Sequence, residues 1–359
     1  MAGAIASYAY LHARVSVLAE QLLPAGRLEA LIVAPPGQDT DLLQSAGVAL
    51  TGERDFDRPA VLEQRLIDAL VRDFTVLARA LSGVPRELLI YWARRYELGN
   101  LKAIIRGKTS EQPVEKIRDN LLDIGLFATL PVEDLLRTDD AAELLRLLEA
   151  TPYGDIARQA RRIFEQQQDV FALDAAMDRR YMAGLSVMAL DAADRRTLRP
   201  LVGAILDRFN LVWLMRYRLA YNLTPAEAYF LLIPGGYRLR GAELQALAQL
   251  GSFEDMLANL PAPLADELAH ASCINTVDRL LEMQIGAVAE SILRHTAFNL
   301  ARAFAYLVLR ERDLLQLHAV LKGRHLQMKP DAIRLSLWAP LAALDTAMTA
   351  AAPSGTAAG

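Results

Sequence analysis

Three groups of residues in this 359-residue chain have the types and spacing to do chemistry. Asp139, Asp140 and Glu143 stand as Asp-Asp-Ala-Ala-Glu, the look of an aspartate-rich motif that holds magnesium and a diphosphate. The same three acids, with Thr138, also suit the cap and first turn of a helix beginning at Ala141. No second metal motif faces them in the sequence. The arginine pairs Arg94-Arg95, Arg161-Arg162, Arg179-Arg180 and Arg195-Arg196 could touch nucleic acid. They carry no interleaved aromatic platform, and acids such as Asp178 and Asp194 lie close by, which is the composition of solvated helix faces. The third group is a mixed acid, amide and base pattern that occurs three times.

Other chemistries lack their parts. The five histidines, His12, His270, His295, His318 and His325, are dispersed, and none of their spacings is that of a zinc-binding helix. Cys273 is the single cysteine, so neither an internal disulfide nor a thiolate cluster can form, which suits a reducing compartment. There is no Gly-x-x-x-x-Gly-Lys phosphate loop and no Gly-x-Ser-x-Gly elbow. Net charge is −4, so the chain as a whole is not drawn to nucleic acid or anionic lipid. No cofactor and no metal are expected.

The repeated pattern begins at Glu97, Asp207 and Asp313. It runs acid, two spacers, Asn or Gln, Leu, two spacers, two apolar residues, base, spacer, base. The copies hold Glu97, Asn100, Arg106 and Lys108; then Asp207, Asn210, Arg216 and Arg218; then Asp313, Gln316, Lys322 and Arg324. On a helix the acid, the Leu and the apolar pair share one face, so acid and amide border a buried stripe and need hydrogen-bond partners. One reading is a packing and capping device: acid near the helix start, bases at its finish, and Gly107 and Gly323 as helix-ending residues. The other is that Arg106, Lys108, Arg216, Arg218, Lys322 and Arg324 face one shared surface and receive a partner.

Helices must position these groups. Apolar residues recur at helical spacing over Leu62–Leu81, Leu135–Leu148, Ile156–Val170, Leu201–Met215, Leu280–Leu293 and Phe298–Leu309. Breakers separate them at Pro35-Pro36-Gly37, Ser82-Gly83-Val84-Pro85, Pro152-Tyr153-Gly154, Pro234-Gly235-Gly236 and Pro261-Ala262-Pro263. Pro113, Pro225 and Pro330 follow the three copies and open new helical segments. Trp92, Trp213 and Trp338 read as core or lobe-interface aromatics. The N-terminus reads as an amphipathic helix interrupted by His12, Arg14 and Glu20, not a signal peptide, and no apolar run is long enough to cross a bilayer. The fold class is all-α. Copies start 110 and then 106 residues apart, far beyond the roughly 30–45 residues of a solenoid repeat. Three related lobes are expected at 1–115, 116–235 and 236–341. An Ala, Thr, Pro and Gly tail over 342–359 is expected to be disordered.

These segments resemble the C subunit of archaeal and bacterial V/A-type ATPases, whose eukaryotic counterpart is the d subunit. The resemblance is carried by Tyr10-Leu11-His12-Ala13-Arg14-Val15 with Leu22-Leu23, by Glu97–Lys102 with Arg106–Lys108, by Asp207–Leu211 followed by Leu232–Gly236, and by Glu311–Arg324. It covers nearly all of residues 6–335. Asp313 and Gln316 depart from the Glu and Asn of the first copy, and the tail after Pro340 looks like an extension. The resemblance implies a pseudo-threefold funnel of three helical lobes. Its mouth would receive the central shaft, made of the D and F subunits, and its base would sit on the membrane proteolipid ring. Such a protein is part of the rotor of an ATPase or ATP synthase, cytoplasmic and peripheral to the membrane. It transmits torque for proton or sodium transport and has no active site. The alternatives are an all-helical isoprenoid-synthase-like enzyme using Asp139, Asp140 and Glu143, or a generic helical scaffold.

Overall fold

Residues 2–24, 26–34, 39–49, 59–167, 170–188, 192–233 and 235–337 are described by the computed structural model, and they form helices with no strand among them. The Pro35–Gly37 break, Pro234, Trp338 and the tail from 342 lie outside the described residues.

The apolar stripes fold as their period dictates. The N-terminal segment gives α1 (Ala2–Ala19), α2 (Arg27–Val33) and α3 (Asp39–Ser45), and the first long stripe gives α4 (Pro59–Arg79). The Ser82–Pro85 break separates α4 from α5 (Gly83–Ala93), whose first residues it supplies, and α6 (Arg95–Thr109) follows with the first motif. Short helices follow: α7 (Val114–Asp119), α8 (Val132–Arg137) and α9 (Ala141–Leu148), then α10 (Gly154–Gln167) and α11 (Val170–Ser186). The second motif ends α12 (Ala192–Met215), continued by a π-helical turn at Arg216–Ala220. Then come α13 (Pro225–Phe230), α14 (Gly241–Ala248), α15 (Phe253–Ala258), α16 (Leu264–Glu267) and α17 (Ile274–His295). The third motif lies in α18 (Leu300–His325), followed by α19 (Pro330–Ser336). Among the described residues no helix is long and apolar enough to cross a membrane.

The chain divides into two compact units. One is Ala93–Tyr181, where Leu98, Leu101, Ile104 and Ile105 of α6 are buried, as are Leu144, Leu145 and Leu148 of α9 and Leu173 and Met177 of α11. The other combines Met1–Trp92 with Met182–Ala339 and is built around α18. Ala301 and every residue from Ala303 to Glu311 are buried, so this helix meets neighbours on all sides. That is the pattern of a helix threaded through a core rather than laid on one. It packs against α17, α4, α12, α1, α2 and α19. Each large side chain so buried contributes about 1.5–3 kcal/mol.

Charge is buried with partners. Arg310, fully buried on α18, meets Asp73 of α4 at 2.9 Å and donates to the carbonyls of Gln21 and Ala46. Tyr306 donates to the same Asp73 carboxylate at 2.7 Å. In the other unit, Lys102 of α6 donates to both oxygens of Asp178 on α11 at 2.8 and 2.9 Å.

Candidate functional site

The three motif copies share a device: the acid and the last base bond backbone in all three, and the amide does so in the first two. Glu97, buried on α6, accepts the backbone N–H groups of Thr129 and Leu130, with the Thr129 hydroxyl at 2.8 Å. The Tyr153 hydroxyl also donates to it, and burial beside that carboxylate pushes the Tyr153 phenol well above its ordinary pKa. Asp207 on α12 accepts three backbone N–H groups, from Tyr237 at 2.9 Å, Arg238 at 2.7 Å and Leu239 at 3.1 Å. Burial raises its pKa, opposed by those three donors. Asp313 on α18 accepts the N–H of Leu23 at 2.8 Å. Burial lifts its carboxyl to about 6 against the pull of that N–H and of Arg312 and Arg310. In every copy the acid holds a loop by its backbone.

The amide performs a second clamp. Asn100 donates from Nδ2 to the Leu122 carbonyl at 2.7 Å and accepts the Leu122 N–H at 2.8 Å. Asn210 repeats both bonds with Ile233, at 3.0 and 2.8 Å. Only a carboxamide can donate and accept in this way. Gln316 is buried in the third copy. The position at the same 22-residue offset, 338, lies outside the described residues.

The last base closes the device. Lys108 donates to the carbonyls of Leu136, at 2.9 Å, and Thr138. Arg218 donates to Ala248 at 2.8 Å, Leu223 at 2.5 Å and Leu250 at 3.3 Å. Arg324 donates to Leu31 and, at 3.0 Å, to Ala34. The first base of each pair differs. Arg106 lies 3.5 Å from Asp174 of α11. Arg216 stacks 4.5 Å over the Trp213 ring and lies 3.9 Å from Asp278 of α17. Lys322 is exposed.

Two details of the packing reading change. Gly107 and Gly323 do not end their helices, which continue to Thr109 and His325. They let a side chain lie on the helix backbone: a Cβ on Gly107 would meet Ile117 Cγ1 at 2.5 Å, and one on Gly323 would meet Ile333 Cγ1 at 2.7 Å. The left-handed residues past the helix ends are Glu111 (φ 53°) and Gln327 (φ 55°). Around them run paired bonds of the Schellman kind, Glu111 N–H to Lys108 with Gln112 N–H to Gly107, and Gln327 N–H to Arg324 with Met328 N–H to Gly323. The second copy has Tyr217 at the glycine position. There the helix widens into its π turn, and the left-handed residue, Asn222 (φ 54°), arrives one residue later. The dipole order also holds only for α6, where Glu97 is in the first turn. Asp207 and Asp313 are mid-helix, and their carboxylates serve loops instead.

Sequence spacing missed what closes the third copy. The partners of Asp313 and Arg324 come from the N-terminal segment, at Leu23, Leu31 and Ala34, and Arg334 of α19 pairs with Glu29 of α2. In the first two copies the corresponding partners follow the motif by 28 to 33 residues.

Asp139, Asp140 and Glu143 sit at the start of α9 as a cap. Asp140 Oδ1 accepts the Glu143 N–H at 2.7 Å, and Glu143 Oε2 accepts the Asp139 N–H at 2.8 Å. Two of the three carboxylates are thus engaged with the helix end. Among the described residues, no group of three or more His, Cys, Asp or Glu is arranged to hold a metal ion.

Residues 11–335 match the family model described as ATP synthase (C/AC39) subunit. The chain is 22% identical to the A-type ATP synthase C subunit of Methanocaldococcus jannaschii, over 92% of this chain and 86% of the relative. It is 24% identical to the protein of the same name in Haloferax volcanii, over 91% and 96% of the two chains. With that of Methanosarcina mazei the identity is 26%, over 67% of each.

Proposed function

The chain belongs to the ATP synthase (C/AC39) subunit family, and on that premise we propose that it is the non-catalytic central-stalk subunit of a rotary V/A-type ATPase. In this reading it couples the shaft, made of the D and F subunits, to the membrane proteolipid ring, and so serves proton or sodium transport from the cytoplasmic face. It performs no bond-making chemistry itself.

The observation that carries the reading is the thrice-used loop anchor. In all three copies the acid and the last base tie loop or helix-end backbone to a motif helix, and in the first two the amide does so as well, so the loops between short helices are anchored to the motif helices. A body that transmits torque needs that stiffness, because a loop that yields absorbs rotation. The same observation supports three lobes, for which we propose boundaries other than those expected from the sequence. Each lobe is proposed to start at its motif helix, with the N-terminal segment completing the third lobe rather than the first. The compact unit Ala93–Tyr181, which begins just before the first motif helix, supports that starting point.

The test is deletion and co-purification. The tagged full chain should co-purify with a coiled-coil shaft protein and a proteolipid ring. Deleting it should leave ATP hydrolysis by the soluble catalytic part while abolishing ion transport. Full ion pumping in the deletion would overturn the proposal. Turnover of a prenyl diphosphate with magnesium would favour the enzyme alternative at Asp139, Asp140 and Glu143.

A further inference from the structure

Within the unit that contains α12, a half-open cavity of about 240 Å³ lies between α5, the end of α11, α12 and the 235–237 turn. Its floor is aliphatic, formed by Leu88, Leu185, Leu198, Val202 and Leu206. One wall is Tyr237, whose N–H is held by Asp207, so the wall is fixed by the motif acid. Glycine at 203 creates the fit, because a Cβ there would collide with Tyr237. The cavity is preformed.

The rim is cationic. Arg195 and Arg199, one turn apart on α12, both line it. The Arg199 guanidinium lies 5.5 Å over the Tyr237 ring, which orients it, and it has no carboxylate partner among the described residues. Tyr237, in the wall, is 37% exposed.

Size and charge decide the occupant. A cavity of roughly 150 Å³ holds a benzene ring, and small-molecule sites run about 300–1,000 Å³. At about 240 Å³ this one suits a single bulky side chain. The cationic rim calls for a carboxylate beside it. We propose that the cavity receives an anchor residue from a helix of another protein of the assembly. That helix carries one large aliphatic or aromatic side chain, with an Asp or Glu within one turn that meets Arg199. The partner's identity as a fellow subunit rests on the function proposed above; the chemistry of the anchor rests on the cavity alone.

The experiment uses the full chain and the purified ATPase complex stripped of it, with rebinding followed by titration. Val202→Trp fills the cavity, and Arg199→Glu reverses the rim charge. Each should weaken rebinding about tenfold or more, as loss of a buried anchor does. Arg199→Lys should retain most of the affinity. Circular dichroism melts confirm folding, and Arg199→Glu, being on the surface, keeps the test valid should Val202→Trp fail to fold. Wild-type rebinding by both variants would overturn the cavity assignment while leaving the function proposed above intact. Failure of the unaltered chain to rebind would instead sink that function. Binding of the chain to phosphatidylglycerol vesicles that is lost in Arg199→Glu, with complex rebinding unchanged, would make the cavity a lipid site and overturn the proposal.

Discussion

Leu23 donates its backbone N–H to the Asp313 carboxylate at 2.8 Å although 290 residues separate the two. The third motif therefore completes itself with the beginning of the chain, as Arg324 does with Leu31 and Ala34. Removing an anchoring carboxylate leaves its backbone donors without a partner, at about 1–3 kcal/mol for a buried group. At about pH 4, below the titration of Asp313, Asp313→Ala should lower the unfolding free energy by about that amount. Asp207→Ala, which releases three N–H groups instead of one, should cost more. Urea denaturation of the two variants gives the ranking. Equal, near-zero losses would show that the loops are held by something else.

Asp313 also sets a pH dependence. Its folded carboxyl titrates near 6, whereas an unfolded aspartate titrates near about 3.9. Between those values the folded state holds a proton that the unfolded state has lost, so this group's contribution to stability is full below about pH 4 and declines as pH rises to about 6. Asp313→Asn cannot titrate, and its oxygen can still accept the Leu23 N–H. Relative to that variant, the wild-type chain should lose up to about 3 kcal/mol between pH 4 and 6. Denaturation of both proteins at four pH values across the window measures the difference, and a flat difference would refute the assignment to Asp313.

The glycines make a packing prediction. Gly107→Ala and Gly323→Ala push a methyl into Ile117 and Ile333, an overpacking that costs about 1–3 kcal/mol. Ile117→Ala alone should cost about 2–5 kcal/mol by leaving a cavity. Combined with Gly107→Ala it should cost less than the sum, because each change relieves the other. Strict additivity would mean that the two residues do not share the contact.

Much of this was legible from residue types. The thrice-repeated acid, amide and base mark the three motif helices, Pro113, Pro225 and Pro330 mark the helices that follow, and Thr138 to Glu143 mark a capped helix start. Local spacing encodes those features. What it does not encode is pairing across long chain separations. Arg310 with Asp73, and Asp313 with Leu23, have no shared periodicity to connect them. The helix ends misled for a different reason. Glycine usually marks the left-handed residue past a helix, but here close packing required glycine inside it, and Glu111 and Gln327 took the strained position. The cavity on α12 was equally hidden, since its floor is indistinguishable in sequence from ordinary core.

The six bases of the motif separate into two tasks, and that separation can be measured. Lys108, Arg218 and Arg324 direct their donors to backbone carbonyls of their own chain, so their loss should appear first as instability. Arg218→Ala frees three carbonyls and should cost about 1–3 kcal/mol, with Lys108→Ala and Arg324→Ala somewhat less. Arg106 and Arg216 are partly shielded beside Asp174 and Asp278. Lys322 alone of the six is exposed. Lys322→Glu should therefore leave stability within about 0.5 kcal/mol of wild type, as ordinary surface changes do. If the bases serve a partner surface, that variant should still bind the stripped complex less tightly, by a factor that shrinks as salt is raised, because an exposed charge is screened within about 10 Å at 0.1 M. Melting and rebinding, run on the same four variants, distinguish the tasks. Stable Arg218→Ala protein that fails to rebind, beside Lys322→Glu protein that rebinds normally, would reverse the assignment and make the clamps the partner contacts.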